Sequence, residues 1–159
     1  MSDAELLATL LAEEERLTFP YFDHQIAWDL GSAMRERALA ENLPIVISIR
    51  RNGQRLFYTA LPGSAADNDA WIDRKSAVVD RYGHSSYYIG CRFRESGSDF
   101  DTKSRLDVDR FAAHGGAFPL LIQRTGCVGV IAVSGLPQVE DHRFVVDEIE
   151  RFLARPDWN

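Results

Sequence analysis

The sequence has few cysteines and no long apolar segment. Cys91 and Cys127 are its only cysteines; both lie in apolar contexts, and neither belongs to a CxxC, CxxCH or zinc-binding spacing. No apolar run approaches the roughly 20 residues that a helix needs to span a bilayer. We therefore predict a chain without membrane spans that folds without disulfides or structural zinc, with both thiols buried.

Positive charge is also in short supply. The 18 Lys and Arg residues against 24 Asp and Glu give a formal net charge of −6, and the basic residues are scattered among acids, as in "RFRESGSDFDTKSRLDVDR". Nucleic-acid binding requires clustered basic side chains, so this composition argues against a nucleic-acid partner. The acidic N-terminal segment, which includes Asp3, Glu5 and residues 13–15, is unlike a signal peptide and predicts a cytoplasmic protein.

The common catalytic and nucleotide-binding motifs are missing as well. The sequence contains no GxxxxGK[ST], no GxGxxG between a strand and a helix, and no HxH or HExxH spacing. A serine nucleophile elbow is excluded at Ser134, because Ala132 and Leu136 stand where the motif requires glycine. We instead expect Ser134 to end an inner strand.

Apolar periodicity predicts helices in the first half of the chain. One helix is expected over 3–16, a second after an N-cap at Asp23, and a third in "AWIDRKSAVVDRY". Asn52-Gly53 predicts a β-hairpin between "LPIVISIR" and "QRLFYTAL". "SSYYIGCRFRE" fits a strand and a helix equally well, so periodicity alone leaves it open.

The second half of the chain predicts a sheet that is covered on both sides. A short helix is expected in "DVDRFAAH", followed by strands in "AFPLLIQ" and "CVGVIAVS" and a final helix after Pro137. The second of these strands is apolar or small on both faces, which is typical of an interior strand with helices above and below. Together the patterns predict one α/β (α+β) domain over 1–159.

Three side chains stand out as candidate site residues. Lys75 shares an apolar helix face with Trp71, Val78 and Tyr82, so it either extends its ammonium to solvent or meets a carboxylate of the fold, a subunit or a ligand; we predict the charge-paired site. His114 precedes Gly115-Gly116 in a loop that a ligand could approach. His142 lies on an apolar helix face, where a core histidine is commoner than a ligand.

Several of these motifs resemble one known family. The order of Gly115-Gly116, Pro119-Leu120, Gly126 and "GVIAVSG", followed by an acid and a terminal helix, resembles the haem-degrading domain family, also called GlcG/HbpS-like. "DRKSAVV" is similar to its lysine-centred helix motif. "HGGAFP", "VSGLPQVEDH" and "YGHSSYY" resemble a small-protein branch of uncharacterised function. The resemblance covers nearly the whole chain after residue 25 and leaves 1–18 as an N-terminal helical extension.

The resemblance implies a profilin-like fold, with an antiparallel sheet of about five strands sandwiched between helices. It also implies that "SSYYIGCRF" is helical, that subunits form symmetric homo-oligomers, and that haem or a corrinoid is the associated ligand. Arg50 and "YTALPG" depart from the charges usual in this family near the hairpin. Enzymatic activity does not follow from a fold, so the sequence assigns no reaction.

Our leading hypothesis is a small cytoplasmic homo-oligomer that binds haem, a related tetrapyrrole or another planar acidic ligand. In this hypothesis His114 is the axial ligand of the haem iron or an acid/base, and Lys75 pairs with a propionate. Gly115 and Gly116 leave room for the ligand, and His142 is a further contact. The alternative is a non-enzymatic assembly or adaptor protein whose exposed aromatics in "FPYFDH" and "YGHSSYY" contact other proteins. The physiological ligand, the oligomer size and the partners are left open.

Overall fold

The computed structural model describes residues 1–158, in which six helices surround one four-stranded antiparallel sheet. The elements are, in chain order, α1 (Asp3–Arg16), α2 (His24–Ala40), β1 (Val46–Arg51), β2 (Gln54–Ala60), α3 (Ala66–Tyr82), α4 (Ser86–Glu95), α5 (Phe100–Lys103), β3 (Ala117–Ile122), β4 (Gly126–Ser134) and α6 (Gln138–Leu153). The strand order is β2-β1-β4-β3. None of the described helices has both the length and the apolarity needed to cross a bilayer.

The two faces of the sheet carry separate parts of the core. Ile131 and Val133 of β4 pack with α2 and α6 on one face, and Val130 and Ala132 pack with α3 on the other. Because successive side chains of a strand point to opposite faces, β4 is buried on both sides. This confirms the predicted interior strand and the helices on both faces of the sheet.

Local signals define several elements as predicted. The Asp23 carboxylate accepts the Ile26 N–H at 2.8 Å and begins α2, and the "SSYYIGCRFRE" segment is helix α4, as the family resemblance implies. Asn52 and Gly53 both have positive φ, which is the backbone that a two-residue hairpin turn requires. These two residues connect β1 to β2.

The sheet has four strands, not about five. Phe19 lies beside the outer edge of β3 and forms a single parallel bridge with Ile122; its N–H donates to Leu121 O at 2.7 Å and its carbonyl accepts from Gln123 N–H at 2.9 Å. The chain then bends at Pro20 and begins α2 at His24, so it leaves the edge of β3 after this bridge. The fifth position therefore holds one bridge and not a strand.

Two local predictions were wrong. "DVDRFAAH" forms a single turn. The Asp107 side chain accepts a hydrogen bond from the Asp109 N–H, and the Asp107 carbonyl accepts one from the Phe111 N–H. The chain then leaves the turn, because the Ala112 N–H donates to Arg74 O of α3. The helix of this region is α5, just upstream.

Cys91 is buried as predicted, but Cys127 is exposed because it lies at the start of β4, beyond the part that the helices cover.

Helix α1 lies against α4 and the beginning of α6. Leu10 packs with Tyr87 and Cys91, while the adjacent acids Glu13 and Glu14 point into the protein and are almost fully buried. Glu14 Oε1 lies 2.7 Å from His84 Nδ1, and its other oxygen accepts the Ser85 N–H. The N-terminal extension is thus bonded to the rest of the chain through apolar and ionic contacts.

Candidate functional site

A cavity of about 250 Å³ opens where the first turns of α3 and α6 approach the loop that precedes β3. Of the five predicted site residues, Lys75, His114 and Gly115 line it, whereas Gly116 and His142 do not. The remaining lining residues are Asp67, Asn68, Trp71, Ser134, Gly135, Leu136, Gln138 and Asp141. The cavity therefore combines an aromatic wall with several polar groups from two helix N-termini.

Lys75 is one of the most deeply buried side chains of the protein, with 2% of its surface exposed. Its ammonium donates to Val133 O at 2.7 Å, to Gly115 O at 3.0 Å and to Asp141 Oδ2 at 3.4 Å. The prediction of a charge-paired lysine is confirmed, and the carboxylate is one of the fold. All three donors of the ammonium have acceptors within the chain.

Burial acts on both members of this pair. It lowers the pKa of Lys75, although the neighbouring Asp141 opposes the change. Burial also raises the pKa of Asp141 to about 6, against the effect of Lys75 and of the backbone N–H groups that its carboxylate accepts, including that of Leu136 at 3.0 Å. Asp141 links the end of β4 to α6 through these contacts.

We expect the contribution of Asp141 to the free energy of unfolding to fall as the pH rises from about 4, the ordinary pKa of an aspartate, to about 6. Between these values the folded state binds the proton of Asp141 more tightly than the unfolded chain does, so raising the pH removes that stabilisation. Urea unfolding of the parent and of Asp141→Asn at pH 4, 5, 6 and 7 measures it. The stability difference between parent and variant should decrease over this interval, and a constant difference would contradict the prediction.

The two glycines after His114 make space for the chain's own atoms. A Cβ on Gly116 would lie 2.3 Å from Lys75 Nζ and 2.6 Å from Val133 O, and a Cβ on Gly115 would lie 2.3 Å from Gln138 O. The Gly115 N–H donates to Gln138 Oε1 at 2.9 Å. Room for a ligand was the predicted role of these glycines, but the space is filled by Lys75 and the first turn of α6.

His114 is exposed and stands between two cavities. Its ring meets that of Trp71 edge-on, with centroids 5.2 Å apart, and the Arg74 guanidinium lies over the Trp71 ring, 4.5 Å from its centroid. The second cavity, of about 310 Å³, is lined by His114 and Gln138 together with residues such as Arg94 and Asp101. Partial burial lowers the pKa of His114; Asp101 opposes the shift, whereas Arg74, Lys75 and Arg94 reinforce it.

His142 lies away from both cavities, beneath α1. Its Nε2 is 2.8 Å from Glu13 Oε1, and Arg143 donates to the other oxygen of Glu13 at 2.9 Å. Because a carboxylate accepts only, Nε2 carries a hydrogen, while Nδ1 is buried without a hydrogen-bond partner among residues 1–158. Although burial opposes it, these hydrogen bonds hold the pKa of Glu13 below its ordinary value. His142 attaches α1 to α6, and the structure does not bring it to His114.

Ser134 ends β4, as predicted, and is nearly buried. Its hydroxyl accepts from Asn68 Nδ2 at 3.4 Å and bonds to no histidine in the described chain. The same residues contain no group of three His, Cys, Asp or Glu side chains arranged to hold a metal ion. Neither a serine triad nor a protein-only metal centre is present in residues 1–158.

Sequence reasoning missed Asp141 as the partner of Lys75. A signal was available, because Asp141, Val145 and Ile149 recur at helical spacing and are all buried, so an acid stands on the apolar stripe of α6. The prediction of exposed aromatics was wrong in part: Phe19 and Phe22 of "FPYFDH" and Tyr87 of "YGHSSYY" are buried, whereas Tyr21 of the first segment is 41% exposed. Of the large apolar residues, Trp28 and Tyr58 are among those most exposed.

Comparison with known proteins identifies the family. Residues 22–150 match the family described as haem degrading protein HbpS-like. A UPF0303 protein of Streptomyces avermitilis is 56% identical over 147 residues, which cover 92% of this chain and 90% of that protein. The crystal structure of the Ybr137w protein superimposes with a TM-score of 0.84 at 36% identity, over 92% of this chain and 86% of the other.

A more distant structure shares the fold. The crystal structure of a PduOC–haem complex superimposes with a TM-score of 0.61 at 20% identity, over 76% of this chain and 87% of the other. The resemblance predicted from the glycine, proline and lysine motifs is thereby confirmed. The chain belongs to the HbpS-like haem-degrading family, in the branch of the UPF0303 proteins.

Proposed function

We propose that this protein is a cytoplasmic homo-oligomer that binds haem, or a related planar acidic tetrapyrrole, with His114 as the axial ligand. The observation that carries the proposal is the position of the His114 ring, which is exposed, borders two cavities and lies beside Trp71. The family supports the choice of ligand, and a relative of the same fold has been crystallised with haem.

The chemistry of His114 suits an iron ligand. A neutral imidazole has a lone pair for a metal, and the lowered pKa of His114 favours this neutral form. Ligand pockets typically measure about 300–1,000 Å³, so the cavity of about 250 Å³ is too small for a tetrapyrrole without its neighbour of about 310 Å³. Haem bound here would supply a redox-active iron.

Lys75 has a different role in this proposal from the one that its position in the sequence suggested. Its three donors are satisfied by Gly115 O, Val133 O and Asp141, so none is free for a propionate. Through Gly115 O it instead fixes the loop that carries His114. The cation that lines the second cavity and could meet an acidic group of the ligand is Arg94, which is close enough to His114 to lower its pKa.

Titration with hemin tests the role of His114. We expect the parent to give a saturable shift of the Soret band with one equivalent per chain, and His114→Ala to weaken binding by at least about tenfold, because the variant loses the ligating nitrogen. His24→Ala is the matched control, since His24 is an exposed histidine at the start of α2. If His114→Ala gives the parent's spectrum and affinity, His114 is not the ligand.

A further inference from the structure

Helix α2 has a second stripe of side chains besides the one that it buries in the core. The core stripe consists of Ala27, Leu30, Gly31, Met34 and Ala38. The second stripe has the spacing of four, three and four residues that is typical of helix-pairing seams, and its members are Trp28, Ser32, Arg35 and Leu39. Trp28 is 60% exposed and Leu39 is 39% exposed, so the two ends of this stripe present apolar surface on the same face of α2.

A groove of about 430 Å³ separates this stripe from β2. Phe57 and Thr59 of β2 form its other wall, and Tyr58 beside them is 42% exposed. Strand β2 is an edge of the sheet, and its outer side has no partner strand among residues 1–158, whereas Phe19 partly covers the other edge at β3. An open edge strand presents unpaired N–H and C=O groups and is a template for pairing with another strand.

Resting on the homo-oligomer of the proposed function, we propose that a second copy of this chain docks on this face, with the two β2 strands paired antiparallel about a two-fold axis and the two α2 helices packed across it. The spacing of the elements supports this arrangement. Helix α2 packs over β1 and β2, and adjacent strands are about 4.8 Å apart, so joining two sheets through β2 sets the two α2 axes roughly 10 Å apart. Packed helices are separated by about 8–10 Å.

The charges on this face favour a second copy over another occupant. Arg35 and Glu36 are adjacent near the middle of α2, and both line the groove. A two-fold axis makes the helices antiparallel, which brings Arg35 of each copy within reach of Glu36 of the other and Trp28 of each towards the Leu39 end of the other. A single extended peptide could pair with β2, but it would leave the stripe on α2 exposed.

Light scattering after size exclusion at micromolar concentration tests the apolar part of the interface. We expect the parent to have a mass that is an even multiple of 17.9 kDa. Trp28→Glu should at least halve that mass, because the largest apolar side chain of the stripe is lost and a charge is buried in its place. Val108→Glu is the control, since Val108 is an exposed apolar residue (46%) outside α2 and β2.

A charge exchange tests the geometry and does not depend on the folding of Trp28→Glu. Arg35→Glu alone and Glu36→Arg alone should each raise the dimer dissociation constant by roughly fivefold or more, because each places like charges across the axis. The double variant Arg35→Glu, Glu36→Arg should restore the parent's value. A parent that is monomeric, a mass unchanged by Trp28→Glu, or a double variant no better than the single ones would overturn the proposal.

Discussion

Replacing Lys75 with methionine is expected to lower the free energy of unfolding by about 3–5 kcal/mol. Methionine preserves much of the volume but leaves the carboxylate of Asp141 buried without its cation. The carbonyls of Gly115 and Val133 lose their shared donor at the same time. Urea unfolding monitored by tryptophan fluorescence at pH 7 measures the change.

The sequence offers a matched control for this substitution. Lys103 is the only other lysine and is exposed on α5, so Lys103→Met should alter stability by no more than about 0.5 kcal/mol. Adding Asp141→Asn to Lys75→Met should recover part of the loss, since the second substitution removes the unpaired charge. Equal stability of the two lysine variants would show that the buried pair is not needed.

Gly116→Ala is expected to lower the free energy of unfolding by about 3 kcal/mol or more. The φ of Gly116 is +131°, which residues with a Cβ rarely adopt, and the new methyl group would collide with the Lys75 ammonium and the Val133 carbonyl. Both atoms belong to the buried hydrogen-bond network and cannot move apart without breaking it. Thermal unfolding followed by circular dichroism measures the loss.

Gly126→Ala separates the strain of the backbone from the collision. Gly126 also has a positive φ, +102°, but a Cβ there would meet no atom within 4 Å. Its replacement should cost only the backbone strain, on the order of 1–2 kcal/mol. If the two glycine variants lose the same stability, the close approach of Lys75 to Gly116 has no energetic weight.

Features encoded by neighbouring residues were predictable from the sequence. The Asp23 cap and the Asn52-Gly53 turn each depend on a few adjacent positions, and both were found as predicted. The predicted fifth strand was wrong because the chain bends at Pro20 and enters α2 after a single bridge beside β3. That outcome depends on where Phe19 meets β3, which lies about a hundred residues further along the chain.

The candidate site was less predictable because its contacts join distant parts of the chain. Lys75 was correctly expected to be paired, but its partner Asp141 is 66 residues away; helical spacing places this acid on the apolar stripe of α6 without identifying Lys75 as its partner. Likewise, the apolar helix face of His142 indicated a core position, but its partner Glu13 is 129 residues away and has no local signal. Only the folded arrangement identifies these partners.

The attachment of α1 has a consequence for where the protein can be cut. The segment that matches the family begins at residue 22. Two consecutive glutamates before it nevertheless bind histidines after it: Glu13 bonds to His142, and Glu14 bonds to His84. A fragment trimmed to the recognisable segment would expose Tyr87 and Cys91 to water and remove the acceptor from a buried imidazole. The N-terminal boundary of the family match and the N-terminal boundary of the stable folding unit therefore differ by the whole of α1.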